Sequence, residues 1–134
     1  MKNIILVFIF LQVVIPQEFV SGCFLSRKQR IYIVNKLPST SPPLKVHCAS
    51  HNNDLGTHIL LHDQEFDWKF CNNFVGNTLF FCHLWWGSKN VAFEAYKYSS
   101  KQSFDKEQTY WTATEAGVIM EDNDDGLSVY NWKN

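Results

Sequence analysis

The chain has 134 residues, a formal net charge of −1 and 16% aromatic residues. This length suits one domain and is too short for two ordinary ones. The near-zero charge gives no field that would attract nucleic acid or an anionic membrane, and the composition is not that of a disordered segment. We therefore expect a single folded domain with no nucleic-acid partner.

The first segment has the pattern of a secretory signal peptide. Met1 and Lys2 precede the apolar run IILVFIFLQVVI, and the following FVSGC places small residues before a cleavage between Gly22 and Cys23. The apolar run is short for a membrane span. We predict that residues 1–22 are removed and that residues 23–134 form a secreted, extracellular domain. The sequence VSGC also matches a bacterial lipoprotein processing site, in which Cys23 would carry a lipid.

The remainder of the chain reads as a series of short strands. Alternating apolar residues define the inward faces of three of them: Ile31, Ile33 and Leu37, then Leu44, Val46 and Cys48, then Phe66, Trp68 and Phe70. NTLFFCHLWW is apolar on both faces, as expected for a central strand, and NVAFEAYKY, TYWTATEAG, GVIME and LSVYNW follow. These patterns have a period of two residues rather than a helical period. About eight such strands predict an all-β fold, a single-domain antiparallel β-sandwich.

Polar segments between the strands predict turns and loops. HNND, residues 51–54, is interpreted as a turn, after which THILL begins the next strand. Residues 39–43, 87–90 and 99–108 are the best candidates for partner binding, because loops carry recognition on a rigid sandwich. No single loop is distinguishable from an ordinary solvated connection. The partner-binding residues therefore stay unassigned.

Five histidines raise the hypothesis of a metal site: His47, His51, His58, His62 and His83. The pairs 47/51 and 58/62 have the spacing that brings two ligands together on a helix. In a strand, however, residues four apart are separated by about 13 Å, which is too far for two ligands of one ion. Pairing across strands could still gather some of them. We expect outward polar positions, no metal and no cofactor.

Catalytic patterns are equally weak. The sequence contains no GxSxG and no phosphate-binding glycine loop. Asp54, Asp63, Glu65 and Glu94 offer carboxylates, but nothing selects a pair for acid–base chemistry, and the cysteines are expected to be oxidised in a secretory compartment. We predict a non-catalytic protein with no small-molecule substrate.

All four cysteines lie after the predicted cleavage position. An even number in a small secreted chain predicts disulfides. Cys48 and Cys82 both fall on inward faces of predicted strands, and a bond between them would close a loop of about 35 residues. The residues alone leave all three connectivities open.

Several ordered blocks resemble one family. VHCASHNNDLGTHIL, FDWKF, NNFVGNTLFFCHLWW and VAFEAY, with IYIVNKL before them and LSVYNW after, are similar to the plant self-incompatibility S-protein homologues. The similarity covers nearly all of the predicted mature chain. It implies small secreted plant proteins folded as β-sandwiches. The founding members, from poppy, are pistil-expressed ligands of a receptor in the pollen plasma membrane, and they trigger calcium signalling.

The resemblance also bears on the cysteines. Cys48 and Cys82 match the paired cysteine blocks of the family, which implies a bond between them. The family commonly has a second bridge towards its C-terminus, where this chain has no cysteine. Cys23 and Cys71 lie outside that pattern. They can pair with each other as a replacement, remain free thiols or form an intermolecular bond.

The function that the resemblance implies is a secreted signalling ligand that is not an enzyme. Its partner would be a plasma-membrane receptor, and a role in self-incompatibility is open. The alternative is an extracellular defence or toxin-like protein that acts on a membrane or a foreign target. A secreted hydrolase or metal protein is the third hypothesis.

Overall fold

The computed structural model describes residue 23 and residues 28–71, 78–98, 107–122 and 126–134. Nine strands form within these residues: β1 (Lys28–Asn35), β2 (Leu44–Ser50), β3 (Asn53–Leu60), β4 (Glu65–Cys71), β5 (Leu79–Trp86), β6 (Lys89–Lys97), β7 (Gln108–Thr114), β8 (Gly117–Asp122) and β9 (Gly126–Tyr130). No helix in the described part of the chain is long and apolar enough to cross a membrane. The predicted signal peptide, residues 1–22, lies outside the described residues and stays a prediction.

The strands form two sheets, which confirms the predicted all-β sandwich. One sheet has the order β4-β1-β7-β8-β9, and the other has the order β3-β2-β5-β6. All pairings within the named strands are antiparallel except that of β1 with β7, which is parallel. The fold therefore differs from a purely antiparallel sandwich at the centre of its five-stranded sheet, and it has nine strands where about eight were expected.

The core lies between the sheets and is formed by alternate residues of the strands. The inward residues predicted from the first strands are buried: Ile31, Ile33, Leu37, Leu44, Val46, Cys48 and Trp68. Phe66 and Phe70 are half-buried and pack against this core. Each fully buried aliphatic side chain contributes about 1.5–3 kcal/mol relative to exposure, so the alternation that defines the faces also supplies much of the stability.

Two local predictions need correction. The turn after β2 comprises only His51 and Asn52, because β3 begins at Asn53 and not at Thr57. A bulge between His47 and Ala49 and the positive φ of Gly56 (79°) let the strand continue through this polar segment. The second correction concerns β5, which is buried on one face only. Phe81 is exposed on its other face, since no strand among the described residues packs on that face of the sheet.

Two disulfides join elements of the sandwich. Cys48 of β2 and Cys82 of β5 are directly opposed and bonded, with their Cα atoms 4.1 Å apart, inside the core. This is the pairing that the resemblance implied. Cys23 is bonded to Cys71 at the end of β4, with a Cα separation of 5.4 Å. No cysteine of the chain is free, so Cys23 and Cys71 pair with each other, which is one of the alternatives that the sequence left open.

Polar contacts also connect the two sheets. The Trp111 indole N–H of β7 donates to the Ala95 carbonyl of β6 over 2.9 Å, and the donor is buried. After β9 the chain crosses to the other sheet, where Lys133 exchanges two backbone hydrogen bonds of 2.8 Å with Asn90. The first contact joins β7 to β6 across the two sheets. The second holds the chain after β9 beside the start of β6.

Candidate recognition site at the loop end

Three connections lie together at one end of the sandwich: residues 36–43, 61–64 and 87–88, which we call the loop end. Leu44, the first residue of β2, pairs with Leu60 on one side and with Trp86 on the other. The three loops that adjoin these residues are therefore neighbours. Gly87 and Pro42 are close neighbours, since a Cβ atom built on Gly87 would lie 3.8 Å from the Pro42 Cγ, an ordinary contact distance.

Two of the three loops predicted as partner-binding candidates, 39–43 and 87–90, thus meet at the loop end. The strand ends that flank the third, 99–108, do not lie at the loop end. β6 ends at Lys97 and β7 begins at Gln108, and the strand directions place both positions at the opposite end. Residues 99–106 themselves lie outside the described residues.

The buried side chain of Asn35 organises the loop end. Its amide nitrogen donates to the Leu60 carbonyl over 2.8 Å, and its carbonyl oxygen accepts from the Leu37 N–H over 2.9 Å. Its backbone N–H donates to the Gln64 carbonyl over 3.0 Å, and its backbone carbonyl accepts from the Asp63 N–H over 2.8 Å. Because a buried amide is stable only when hydrogen-bonded, this one residue specifies the path of two loops.

The loop at residues 61–64 is further fixed by its own contacts. The Leu61 N–H donates to the Gln64 side-chain oxygen over 2.9 Å, and the Gln64 N–H donates to the Leu61 carbonyl over 3.0 Å. Asp63 has a φ of 66°, and it is the one residue other than glycine with a positive φ in the described ranges. Such a conformation persists only where the surroundings impose it, so the loop has a defined shape.

Side chains from residues 36–43 and 61–64 connect the two loops. The Lys36 ammonium lies 2.6 Å from the Asp63 carboxylate, and a His62 ring nitrogen (Nδ1) donates to the Leu37 carbonyl over 2.6 Å. Leu61 points outward and is 55% exposed. The result is a mixed surface in which an exposed leucine belongs to the same short loop as polar side chains that hydrogen bonds hold in place.

Replacing Lys36 by alanine should raise the pKa of Asp63. The hydrogen bond from Lys36 is the main reason why the pKa of Asp63 lies below its ordinary value of 3.8. Partial desolvation raises this pKa, and the charges of His62 and Lys36 lower it. Because the pKa of Asp63 is lower in the folded protein, the stabilisation by this pair is fully present above pH 3.8. It is lost as the pH falls through the pKa of the folded state. It is small, since both side chains are exposed. NMR titration of the carboxyl carbon measures the change.

Asp54 provides the control for this titration. The Gly56 N–H, and then His47, lower its pKa without any contribution from Lys36. The pKa of Asp54 should therefore be the same in both proteins. If the pKa of Asp63 also stays the same, Lys36 does not hold that carboxylate.

The histidines are distributed over several structural contacts. His47 lies 2.8 Å from the Asp54 carboxylate, and His83 lies 3.1 Å from the Asn90 side-chain oxygen. His58 stacks on Phe66 with ring centroids 3.9 Å apart. His47 and His83 are opposed in register, so strand pairing does bring two histidines together. No group of three or more metal-ligating side chains with suitable geometry occurs among the described residues.

A cavity of about 580 Å³ lies at the opposite end of the sandwich, beside the turn between β2 and β3. Its described lining residues carry no carboxylate, lysine or arginine, and His51 is the one titratable side chain among them. No acid–base pair is therefore present in the described lining. Sequence reasoning missed Asn35, although alternation places it on the buried face of Ile31, Ile33 and Leu37.

Comparison with known proteins gives a consistent result. The family model of plant self-incompatibility protein S1 matches residues 30–132. S-protein homolog 24 of Arabidopsis thaliana is 37% identical over 92 residues, which are 66% of this chain and 61% of the relative. S-protein homolog 7 of the same plant is 30% identical over 117 residues, which are 84% of this chain and 87% of the relative. The match to S-protein homolog 5 spans only 43% of that relative's length.

A solved structure has the same fold. It belongs to the SPH (self-incompatibility protein homologue) proteins, described as a widespread family of small, highly stable, secreted proteins from plants. The superposition has a TM-score of 0.62 at 18% identity and covers 82% of this chain and 98% of the other. At that identity the likeness shows the fold alone. The family model and the longer curated matches show the family as well. The chain belongs to the plant self-incompatibility protein S1 family of secreted proteins.

Proposed function

We propose that the protein is a secreted, non-catalytic plant signalling ligand, and that a plasma-membrane receptor recognises it through the loop end. Family membership supports the extracellular location. The observation that carries the recognition site is the rigid pair of loops that Asn35 connects through side-chain and backbone hydrogen bonds. A secreted protein can reach the extracellular part of a plasma-membrane receptor with such a surface.

Rigidity favours binding because association immobilises flexible groups at a free-energy cost. Loops already held in one conformation avoid much of that cost. Residues 39–43 contain Pro42 and Pro43, whose rings restrict the backbone further. Leu61 is an exposed apolar side chain within this polar surface, an arrangement in which a central side chain is desolvated on binding and its polar surroundings exclude water.

Replacing Leu61 by glutamate should weaken receptor binding by roughly tenfold or more, because an interface anchor contributes at least about 1–2 kcal/mol. The measurement is saturation binding of fluorescently labelled protein to plasma-membrane vesicles from plant tissue that responds to it. Leu127→Glu is the matched control. Leu127 is 63% exposed, against 55% for Leu61, and lies in the other sheet near the opposite end. Equal binding by Leu61→Glu and the native protein would remove the loop end from the interface.

The defence or toxin-like alternative is supported by a different surface. The outer face of the five-stranded sheet exposes Tyr110, Leu127 and Val129, and exposed apolar residues on one face can contact a membrane. Leakage of receptor-free lipid vesicles, abolished by Leu127→Glu and unaffected by Leu61→Glu, would favour this alternative. A calcium response that requires receptor-bearing cells and fails with Leu61→Glu favours signalling. Pollen is the cell type in which to test a role in self-incompatibility.

A further inference from the structure

Two tyrosines face each other on the outer surface of the five-stranded sheet. Tyr32 of β1 and Tyr110 of β7 are partners in the parallel pairing. Their ring centroids are 4.3 Å apart, and the ring planes differ by 7°. Tyr110 is 47% exposed and Tyr32 is half-buried. The pair therefore lies outside the core, outside the loop end and within reach of small molecules in solution.

The two rings extend from paired positions of parallel strands and stack almost face to face. Carbon atoms of the two rings are therefore in contact across the stack. The guanidinium of Arg30 lies 6.0 Å from the Tyr32 ring centre and forms an ion pair with Asp67, so the polar side chain beside the stack is itself held in place.

We propose that Tyr32 and Tyr110 are an oxidative modification site, at which hydrogen peroxide and a haem peroxidase join them as an intramolecular dityrosine. Each phenol loses one electron and one proton and becomes a phenoxyl radical. The two radicals form one carbon–carbon bond between ortho carbons, and each of those carbons then transfers its hydrogen to the phenol oxygen as aromaticity is restored. Hydrogen peroxide accepts the two electrons and two protons and becomes two molecules of water. The protein loses two hydrogen atoms in total.

The stacked geometry suits this reaction. The unpaired electron of a phenoxyl radical occupies a π orbital, so the new bond initially forms perpendicular to both ring planes. Parallel rings in contact present those orbitals to each other. The paired backbones of β1 and β7 hold the two residues together, and such confinement gives an intramolecular reaction a high effective concentration. Coupling within one molecule should therefore exceed coupling between molecules in dilute solution.

The other tyrosines are less suited. The chain has five, and all lie among the described residues. Tyr96 is buried, whereas Tyr98 and Tyr130 are half-buried, and the Tyr130 ring packs against Phe93 and Trp111. In the described ranges no second tyrosine pair has its rings stacked. The reaction should therefore be specific for one product.

The bond would have a structural consequence. It would tie the N-terminal strand β1 to β7, two strands that are distant in the chain and form the centre of their sheet. Neither disulfide makes this connection. A carbon–carbon bond also resists reducing agents. The modified protein should therefore keep β1 and β7 together after both disulfides have been reduced, and it should melt at a higher temperature in reductant than the untreated protein.

The test treats the dilute secreted protein with hydrogen peroxide and a plant haem peroxidase. Intact mass under reducing conditions should show a monomer that has lost two hydrogen atoms, with dityrosine fluorescence and a peptide joining residues 32 and 110. Tyr32→Phe and Tyr110→Phe retain a stacked ring without a phenol, and each should abolish the product. Tyr98→Phe and Tyr130→Phe are the matched controls and should leave the yield unchanged.

The same treatment can overturn the proposal. A monomer of unchanged mass, a link between other residues, covalent dimers alone, or full product in Tyr110→Phe would each do so. Melting in reductant gives a second criterion. A higher melting temperature in the treated native protein, and none in treated Tyr110→Phe, supports the link, whereas an equal rise in both proteins contradicts it.

Discussion

Replacing Cys48 and Cys82 together by alanine is expected to lower the free energy of unfolding by about 4 kcal/mol. The bond between them spans 34 positions of sequence, and its removal returns the entropy of that loop to the unfolded chain. Both residues are fully or almost fully buried, so the loss of two sulfur atoms also leaves a small cavity in the core. Guanidinium unfolding followed by tryptophan fluorescence measures the difference.

Replacing Cys23 and Cys71 by alanine is the matched control. This bond spans 48 positions, and loop length alone would assign it a similar effect. Cys23, however, precedes β1, and Cys71 is exposed at the end of β4. Without the bond, Cys23 is no longer joined to β4, while the strands of both sheets keep their own pairing and core contacts. We therefore expect a loss of about 1 kcal/mol or less. Equal losses in the two double variants would contradict the dominance of the core bond.

The faces of the strands were predictable from alternation, because side chains on a strand alternate between the two sides of the sheet. Ile31, Ile33, Val46 and Leu84 all lie inside, as their positions predict. Pairing partners were not predictable in the same way. Alternation assigns a face to each residue, but it does not say which strand lies beside which. The parallel pairing of β1 with β7 joins strands far apart in the chain, and no turn of the hairpin type indicates it.

The loop end illustrates the same limit. Residues 36–43 and 87–88 were recognisable as segments with proline, glycine or serine, and residues 61–64 contain the polar side chains of His62, Asp63 and Gln64. Their proximity depends on the pairing of β2 with both β3 and β5, which is a property of the topology. The third predicted loop, residues 99–108, had the same sequence character, yet the strand ends that flank it, Lys97 and Gln108, lie at the other end of the sandwich. A candidate binding surface on a sandwich therefore becomes identifiable only when the strand order is known.

Asn35 is the exception, because its sequence position did contain a usable indication. It is a polar residue on the same face as Ile31, Ile33 and Leu37, and it is buried. A polar side chain on an apolar face must have hydrogen-bond partners inside the protein. Those partners are the Leu60 carbonyl and the Leu37 N–H, which belong to the ends of the loops that form the candidate site.

Replacing Asn35 by alanine should lower the free energy of unfolding by about 3 kcal/mol, because the Leu60 carbonyl and the Leu37 N–H would each be left buried without this partner. The shape of the loop end should be lost as well. Hydrogen exchange measured by NMR should show faster exchange of the Leu37 and Asp63 amides, and receptor binding should weaken with it. Denaturant unfolding measures the change in stability.

Ser41→Ala is the matched control for Asn35→Ala. The Ser41 hydroxyl donates to the Pro38 carbonyl in the same loop, but the residue is only half-buried. Its loss should therefore cost about 0.5–1 kcal/mol and leave the Asp63 amide protected. An unchanged unfolding midpoint in Asn35→Ala would contradict the role of the amide. Destabilisation without faster exchange at Asp63 would mean that Asn35 supports only the core, and that the contacts of Lys36 and His62 suffice to shape the binding surface.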